Sequence, residues 1–302
     1  MRLVFLGTGG SIPAPNRNVS ATALQLASEM ILFDCGEGTQ RQFMMSSASF
    51  MKVHKIFVTH FHADHFLGIP GMIQSMNFVG RDKPLEVFGP SGMIDIMRSL
   101  LRIGYFSPGF DVHVYELKAG EVVKFPGYSV EAVEVDHNVP ALGYVLLGEN
   151  RPGKFNLDAA RALGVPEGPL FRALQQGKAV KVGKKTVTPD MVLGEARPGL
   201  KIAFSGDTRP CNRLIEAARG ADVLVHEATA DSSLRARADE FGHSTAEGAA
   251  TVAAKANVSI LYLNHISSRY EDTAVLGEEA RRIFPKTKVV EDLMSVTVRM
   301  KE

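Results

Sequence analysis

The sequence predicts a layered α/β fold, and two features carry the prediction. Short apolar runs rich in β-branched and aromatic residues recur along the chain, each followed at once by a polar side chain. Segments of helical spacing lie between them. Strands that are apolar on both faces, or nearly so, need helices covering their sheet. In such folds ligands and catalytic groups gather at strand ends, so the polar residues after these runs form one set.

In chain order, Met1 to Gly7 reads as a first strand, its apolar run too short for a signal peptide. Ile56 to Thr59 leads into His60, and Pro90 to Leu101 has helical spacing. Ser129 to Asp136 alternates like a half-buried strand and leads into His137. Ile202 to Gly206 leads into Asp207, with a helix from Cys211 to Arg219 after the turn. Ser244-Thr245-Ala246-Glu247 reads as a capping box with Ser244 as N-cap, opening a helix through Ala256. Ile260 to Asn264 leads into His265. No apolar stretch is long enough to span a bilayer.

The 302 residues, 45% hydrophobic and 22% charged, suffice for a sizeable core without disulfides. The two cysteines, Cys35 and Cys211, make neither a disulfide framework nor a C-x-x-C motif, and a reducing cytoplasm is the simpler setting. The net charge of +1 gives no global attraction to nucleic acid, so any basic surface is local. Residues 149–200 are that locality: nine Lys and Arg against five Asp and Glu make +4. A connection this long reads as an insertion with its own function in a single domain spanning 1–302, a solvated loop with scattered lysines being the plainer alternative.

The strongest signal is His60-Phe61-His62-Ala63-Asp64-His65. Four metal-type side chains within six residues, directly after a buried strand, converge in a tight turn. One ion hardly needs all four. The spacing puts His60 and His62 on one metal and Asp64 and His65 on another. His137, Asp207 and His265, each ending a strand, complete the shells, with Asp207 placed to bridge. Two ions about 3.5–4 Å apart suit phosphodiester hydrolysis, and equally β-lactam or thioester hydrolysis. His54 and His113 read as surface or packing residues, and His226 as structural.

The His-x-His-x-Asp-His motif resembles the signature of the metallo-β-lactamase superfamily. Further segments resemble its ribonuclease Z family: Phe5 to Gly10, Phe33 to Gln40, Ser205 to Thr208, His226 to Thr229, Gly242 to Thr245 and His265 to Tyr270. The resemblance implies an αββα four-layer sandwich with a protruding arm. It implies a zinc-dependent endoribonuclease that removes the 3′ trailer of precursor tRNA. Two Zn2+ per subunit are expected, Mn2+ or Mg2+ being substitutes, with His60, His62 and His137 on one, Asp64, His65 and His265 on the other, and Asp207 between. His243 is implied as a catalytic residue, here the acid that protonates the 3′ leaving oxygen from a helix N-terminus. Glu227 is the candidate for orienting it, and Asp64 for handling the nucleophile's proton. Residues 149–200 correspond to an arm that grips tRNA, Gly168 and Pro169 matching its Gly-Pro motif, and a homodimer is expected. Arg269 with Ser267 suits phosphate contact.

One loop departs from the family. Pro13-Ala14-Pro15-Asn16-Arg17-Asn18 keeps the Arg-Asn end of a Pro-x-Lys-x-Arg-Asn pattern, but Pro15 stands where lysine is expected. Arg17 is the remaining candidate for a substrate contact there, and Pro15 leaves the treatment of the CCA end open. The rival readings are a hydrolase of small phosphodiesters or thioesters, a non-catalytic RNA-binding member, and a di-iron oxidoreductase. An extended basic insertion, a full ligand set and His62 in place of a carboxylate argue against each in turn.

Overall fold

The computed structural model describes residues 1–27, 29–105 and 107–298. The chain clusters into two compact units: Met1–Lys124, Val130–Leu146 and the chain from Lys201 form the first, and Phe125–Ser129 with Leu147–Leu200 the second.

The first unit is built on two seven-stranded sheets. One runs Ser295–Thr297, Arg2–Gly7, Ala21–Gln25, Met30–Phe33, Val53–Phe57, Leu85–Gly89, Val112–Glu116. Its first pairings are antiparallel, and from Met30–Phe33 onward they are parallel. The other runs Thr287–Val289, Leu261–Asn264, Val223–Glu227, Lys201–Phe204, Leu142–Gly148, Tyr128–Glu134, Val122–Phe125, its first four strands parallel.

Side-chain alternation explains the layers. In Arg2–Gly7, Val4 and Leu6 join a core with Phe43, Met72 and Met97 of the helices Thr39–Met45, Ile69–Phe78 and Met93–Leu100. Phe5 points the other way and packs on Tyr262 of the second sheet, ring centroids 5.5 Å apart. Phe33 stacks on Phe204 across the same interface at 3.8 Å. The second sheet is covered by Asn212–Ala217, Ala246–Ala256 and Ala274–Ile283 through Leu214, Ala250, Leu276 and Ala280. Each central strand is therefore apolar on both faces because one face meets helices and the other meets a second sheet. The outcome is the expected αββα order of layers.

Two helices are shorter than their spacing suggests. Met93–Leu100 starts only after Gly92 takes φ 99°, and Asn212–Ala217 lies inside the expected 211–219. In Ala246–Ala256 the N-cap is Thr245, whose hydroxyl accepts from the Gly248 N–H at 3.1 Å. Ser244, expected in that role, instead donates to the Thr208 carbonyl at 2.7 Å. The reason is competition: Ser244 is fully buried beside the Asp207 turn and finds its acceptor there.

The second unit has a core of its own, where Val165, Phe171, Leu174, Val180 and Val187 pack together. It holds the helices Leu157–Ala162 and Pro169–Gln175 and the hairpin of Val180–Val182 with Lys185–Val187. Asn156 caps the first helix through the Ala159 N–H. Gly168 (φ 120°) and Pro169 open the second, a backbone turn that an L side chain rarely adopts. Lys178, Lys181, Lys184 and Lys185 are all exposed on and beside the hairpin.

Candidate metal centre

The histidine motif leaves its strand because a side chain replaces the sheet. After Val53–Phe57, the Thr59 N–H donates to Asp34 Oδ1 at 2.8 Å and the Thr59 hydroxyl to Asp34 Oδ2 at 3.0 Å. The chain then turns through His60 and His62 into the short helix Ala63–Phe66, which carries Asp64 and His65. His137 follows Tyr128–Glu134, Asp207 follows Lys201–Phe204, and His265 follows Leu261–Asn264. The structure brings all seven side chains together, as two groups that share Asp207.

In one group, His65 Nε2 and His265 Nε2 stand 3.3 Å apart, and each lies within 3.5 Å of both Asp64 Oδ2 and Asp207 Oδ2. Asp64, His65 and His265 offer donor atoms within 4.8 Å of one another, close to the separation of about 3.3 Å between ligands held at about 2.0–2.1 Å by one tetrahedral ion. In the other group His60 Nε2, His62 Nδ1, His137 Nε2 and Asp207 Oδ2 give 2.9, 3.4 and 3.6 Å. Ring nitrogens converging in this way are placed as donors to a metal ion. Asp207 Oδ1 is buried without a partner among the described residues, and an unpaired buried carboxylate oxygen is costly unless a cation answers it. The donor set fits metal ions.

The outer nitrogens fix the tautomers. His65 Nδ1 donates to Asp34 Oδ2 at 2.8 Å, and His137 Nδ1 to the Gly242 carbonyl at 2.8 Å. His265 Nδ1 meets Thr229 Oγ1 at 3.1 Å, a hydroxyl that itself donates to Glu227 Oε2 at 2.9 Å. His60 Nδ1 likewise meets Thr59 Oγ1 at 3.0 Å, while that hydroxyl donates to Asp34. Each of these four rings thus spends its Nδ1 proton outward and turns the Nε2 lone pair inward, the arrangement that strengthens metal ligation. Burial also holds His60 well below the usual imidazole range, and so neutral.

Strand alternation separates His226 from Glu227. Val225 and Glu227 border the interior space between the sheets, next to Asp207. Leu224 and Ala228 face the covering helices, and His226, fully buried, shares their side of the strand. The structural reading of His226 agrees with that placement. Glu227 Oε1 accepts from His243 Nδ1 at 3.0 Å, and His243 lies 3.8 Å from Asp207 Oδ2. Burial alone would lower the His243 pKa; the adjacent Glu227 carboxylate overrides it and lifts it to about 9.

Several expected contacts stand differently. His243 was expected at an open helix N-terminus, but the amides there are occupied. Ala246 donates to the Ala230 carbonyl, Glu247 to Glu279 Oε1, and Gly248 to Thr245. What positions His243 is Glu227. Arg17 is 6% exposed, its guanidinium bound to Thr8 Oγ1 at 2.7 Å and the Val290 carbonyl at 2.8 Å. Those bonds make it a framework residue rather than a substrate contact. Arg269 donates to Ser267 Oγ at 3.1 Å, and both line a cavity of about 230 Å³ with His243. Gly168 and Pro169 belong to the second unit. Sequence reasoning assigned no role to Asp34 or Thr229. Asp34 follows the apolar run of Met30–Phe33, so the strand-end rule applied there would have found it.

Comparison with known proteins agrees with this geometry. Residues 171–266 match the model of the Beta-lactamase superfamily domain, and residues 1–151 that of Anti-Pycsar protein Apyc1. A metallo-beta-lactamase fold protein, YhfI of Bacillus subtilis, superposes with TM-score 0.71 over 98% of both chains at 15% identity. The class is therefore that of metallo-β-lactamase-fold proteins. Ribonuclease Z of Methanosarcina acetivorans is 48% identical over 99% of this chain and 98% of its own length, and that of Myxococcus xanthus 47% over 93% and 92%. Human tRNase Z, short form, superposes with TM-score 0.73 at 26% identity, covering 99% of this chain and 100% of its own. Within the class, the chain belongs to the ribonuclease Z family.

Proposed function

We propose that the protein is a zinc-dependent endoribonuclease that removes the 3′ trailer from precursor tRNA, leaving a 3′ hydroxyl on the tRNA. The observation that carries this reading is the pair of donor groups, His60, His62, His137 and Asp207 beside Asp64, His65 and His265, with Asp207 Oδ2 within 3.6 Å of His60, His65 and His265 and His243 3.8 Å from that same oxygen and paired with Glu227. His60, His62 and His137 would hold one Zn2+, Asp64, His65 and His265 the other, with Asp207 common to both; Mn2+ or Mg2+ would substitute. Such ions would supply an activated water at neutral pH and positive charge against the phosphate.

The chain's own residues do the rest. His243 donates a proton to the departing 3′ oxygen, and Glu227 keeps the ring oriented and charged for that step. Asp64, whose Oδ2 also accepts the Ser11 N–H at 2.7 Å, takes the proton of the attacking group. Arg269 meets a phosphate oxygen from the cavity wall it shares with Ser267 and His243. In the second unit Lys178, Lys181, Lys184 and Lys185 bind the tRNA body through phosphates, a contact that depends on shape and salt rather than sequence. Gly168 and Pro169 shape that same arm. The protein works as a cytoplasmic homodimer. No helix among the described residues is long and apolar enough to cross a membrane.

The test is cleavage of a 3′-extended precursor tRNA by purified protein, with and without chelator, with product ends mapped. Cleavage next to the discriminator nucleotide that stops with chelator and returns with zinc is the expected result, and it places the cut relative to CCA. A folded, zinc-loaded protein that leaves the precursor intact would sink the reading in favour of a small-substrate hydrolase.

A further inference from the structure

The helix Arg235–Phe241 ends at Gly242, which takes φ 79° and closes it in the left-handed conformation favoured at helix C-termini. That turn ties three things together. The Gly242 carbonyl holds His137, His243 follows directly, and Phe241 is left standing beside the site. Arg237 and Phe241 are four residues apart and so share a helix face. The Arg237 guanidinium carbon lies 5.7 Å from the Phe241 ring centroid, and Phe241 is 51% exposed. Both side chains line the cavity of about 230 Å³ that also reaches His243, Ser267 and Arg269.

This wall faces outward from the core. The helix buries Ala238, while Arg237 and Phe241 both stay exposed. An aromatic ring beside a guanidinium plane, lining a cavity that contains a proton donor and a second arginine, has the chemistry of a nucleobase platform.

We propose that Phe241 and Arg237 form a stacking subsite for the base of the nucleotide whose 3′ oxygen leaves. This rests on the proposed cleavage reaction. His243 meets that oxygen, and His243 is also part of the cavity wall, so the nucleotide bearing the oxygen lies on this side of the metal centre. Arg269 and Ser267 take the phosphate, and the base extends onto Phe241. Stacking uses the face of a base rather than its edges, so the subsite accepts any base while requiring that one be present. Phe241 is a substrate-binding residue here, distinct from the proton donor.

The experiment compares kcat/KM for an intact precursor tRNA and one that is abasic at that single nucleotide, using wild type, Phe241→Ala and Phe241→Trp. Stacking on an aromatic side chain is worth about 1–3 kcal/mol per base, so Phe241→Ala should lower kcat/KM on the intact substrate about 5- to 140-fold. Removing the base should lower wild-type kcat/KM comparably. The two losses together should fall well short of their product, because both remove the same contact, and Phe241→Trp should recover most of the rate. Losses that simply multiply, or an intact-substrate rate unmoved by Phe241→Ala, overturn the subsite. A wild-type protein that does not cut the precursor overturns the proposed function and the subsite with it, so the two failures are distinguishable.

Discussion

His243 Nδ1 lies 3.0 Å from Glu227 Oε1, and the same carboxylate group accepts from Thr229 Oγ1, whose oxygen meets His265 Nδ1. One buried side chain therefore orients both the proposed proton donor and a proposed metal ligand. Glu227 is itself held by the Thr208 N–H at 3.0 Å. Burial would raise its carboxyl, but His243 keeps it below the usual range and so ionised.

Glu227→Gln should separate proton donation from metal ligation. His243 stands at about 9 because of this carboxylate. The donor form is present below that value and is lost as pH rises through it. With a neutral partner His243 titrates lower, so the alkaline limb of the kcat profile should move to lower pH. At neutral pH kcat should fall by roughly 10²-fold or more, within the range of general acid catalysis. An alkaline limb that stays in place would show that the pair does not set it.

Asp34→Asn should weaken metal binding without touching a ligand. Asp34 accepts from His65 Nδ1 and caps the turn at Thr59. Loss of such an outer partner costs roughly 10–100-fold in affinity. Competition titration with a zinc chelator measures it directly, and an unchanged affinity would assign Asp34 a purely structural role.

Metal removal should lower thermal stability as well as activity. A ligand bound only by the folded state at a thousand times its Kd adds about 4 kcal/mol. For a chain of this size that corresponds to a Tm higher by roughly 10 °C. Calorimetry with and without chelator, followed by zinc addition, should show the loss and its recovery.

Gly10→Ala should damage one metal group selectively. A methyl group there would stand 2.5 Å from His265 Cε1, which is closer than such atoms pack, and His265 is already held at φ 55°. The ring must move, taking Nε2 away from Asp64 and Asp207. Metal analysis of the variant should find about half the ions per chain that wild type binds. Retention of full occupancy would mean the turn relaxes instead.

Replacing Lys178, Lys181, Lys184 and Lys185 with alanine should weaken precursor binding and flatten its salt dependence. Each phosphate contact removed lowers the slope of log K against log salt by roughly 0.7–0.9. Binding measured from about 50 to 200 mM salt reads the slope. A slope equal to wild type would place the RNA elsewhere.

The layered fold and the metal-type residues at its strand ends are legible in the amino-acid sequence. Its apolar runs record burial on two faces, and polar residues interrupt them only where a strand stops. His60, Asp207 and His265 were legible for that reason. Contacts between residues far apart along the chain have no local pattern and are set by folding. Asp34 and His65 lie 31 positions apart and touch only because neighbouring parallel strands end at one level. Arg17 became a framework residue because Thr8 and the Val290 carbonyl meet it in three dimensions. Thr245 displaced Ser244 as N-cap because Thr208, far along the chain, offered Ser244 a buried acceptor. Phe241 and Arg237 drew no notice in the sequence, since an exposed helix face carries no periodic signal. Only the left-handed turn at Gly242, next to His243, placed them beside the chemistry. Local sequence encodes burial and strand ends, whereas hydrogen-bond partners are chosen among groups that folding brings together.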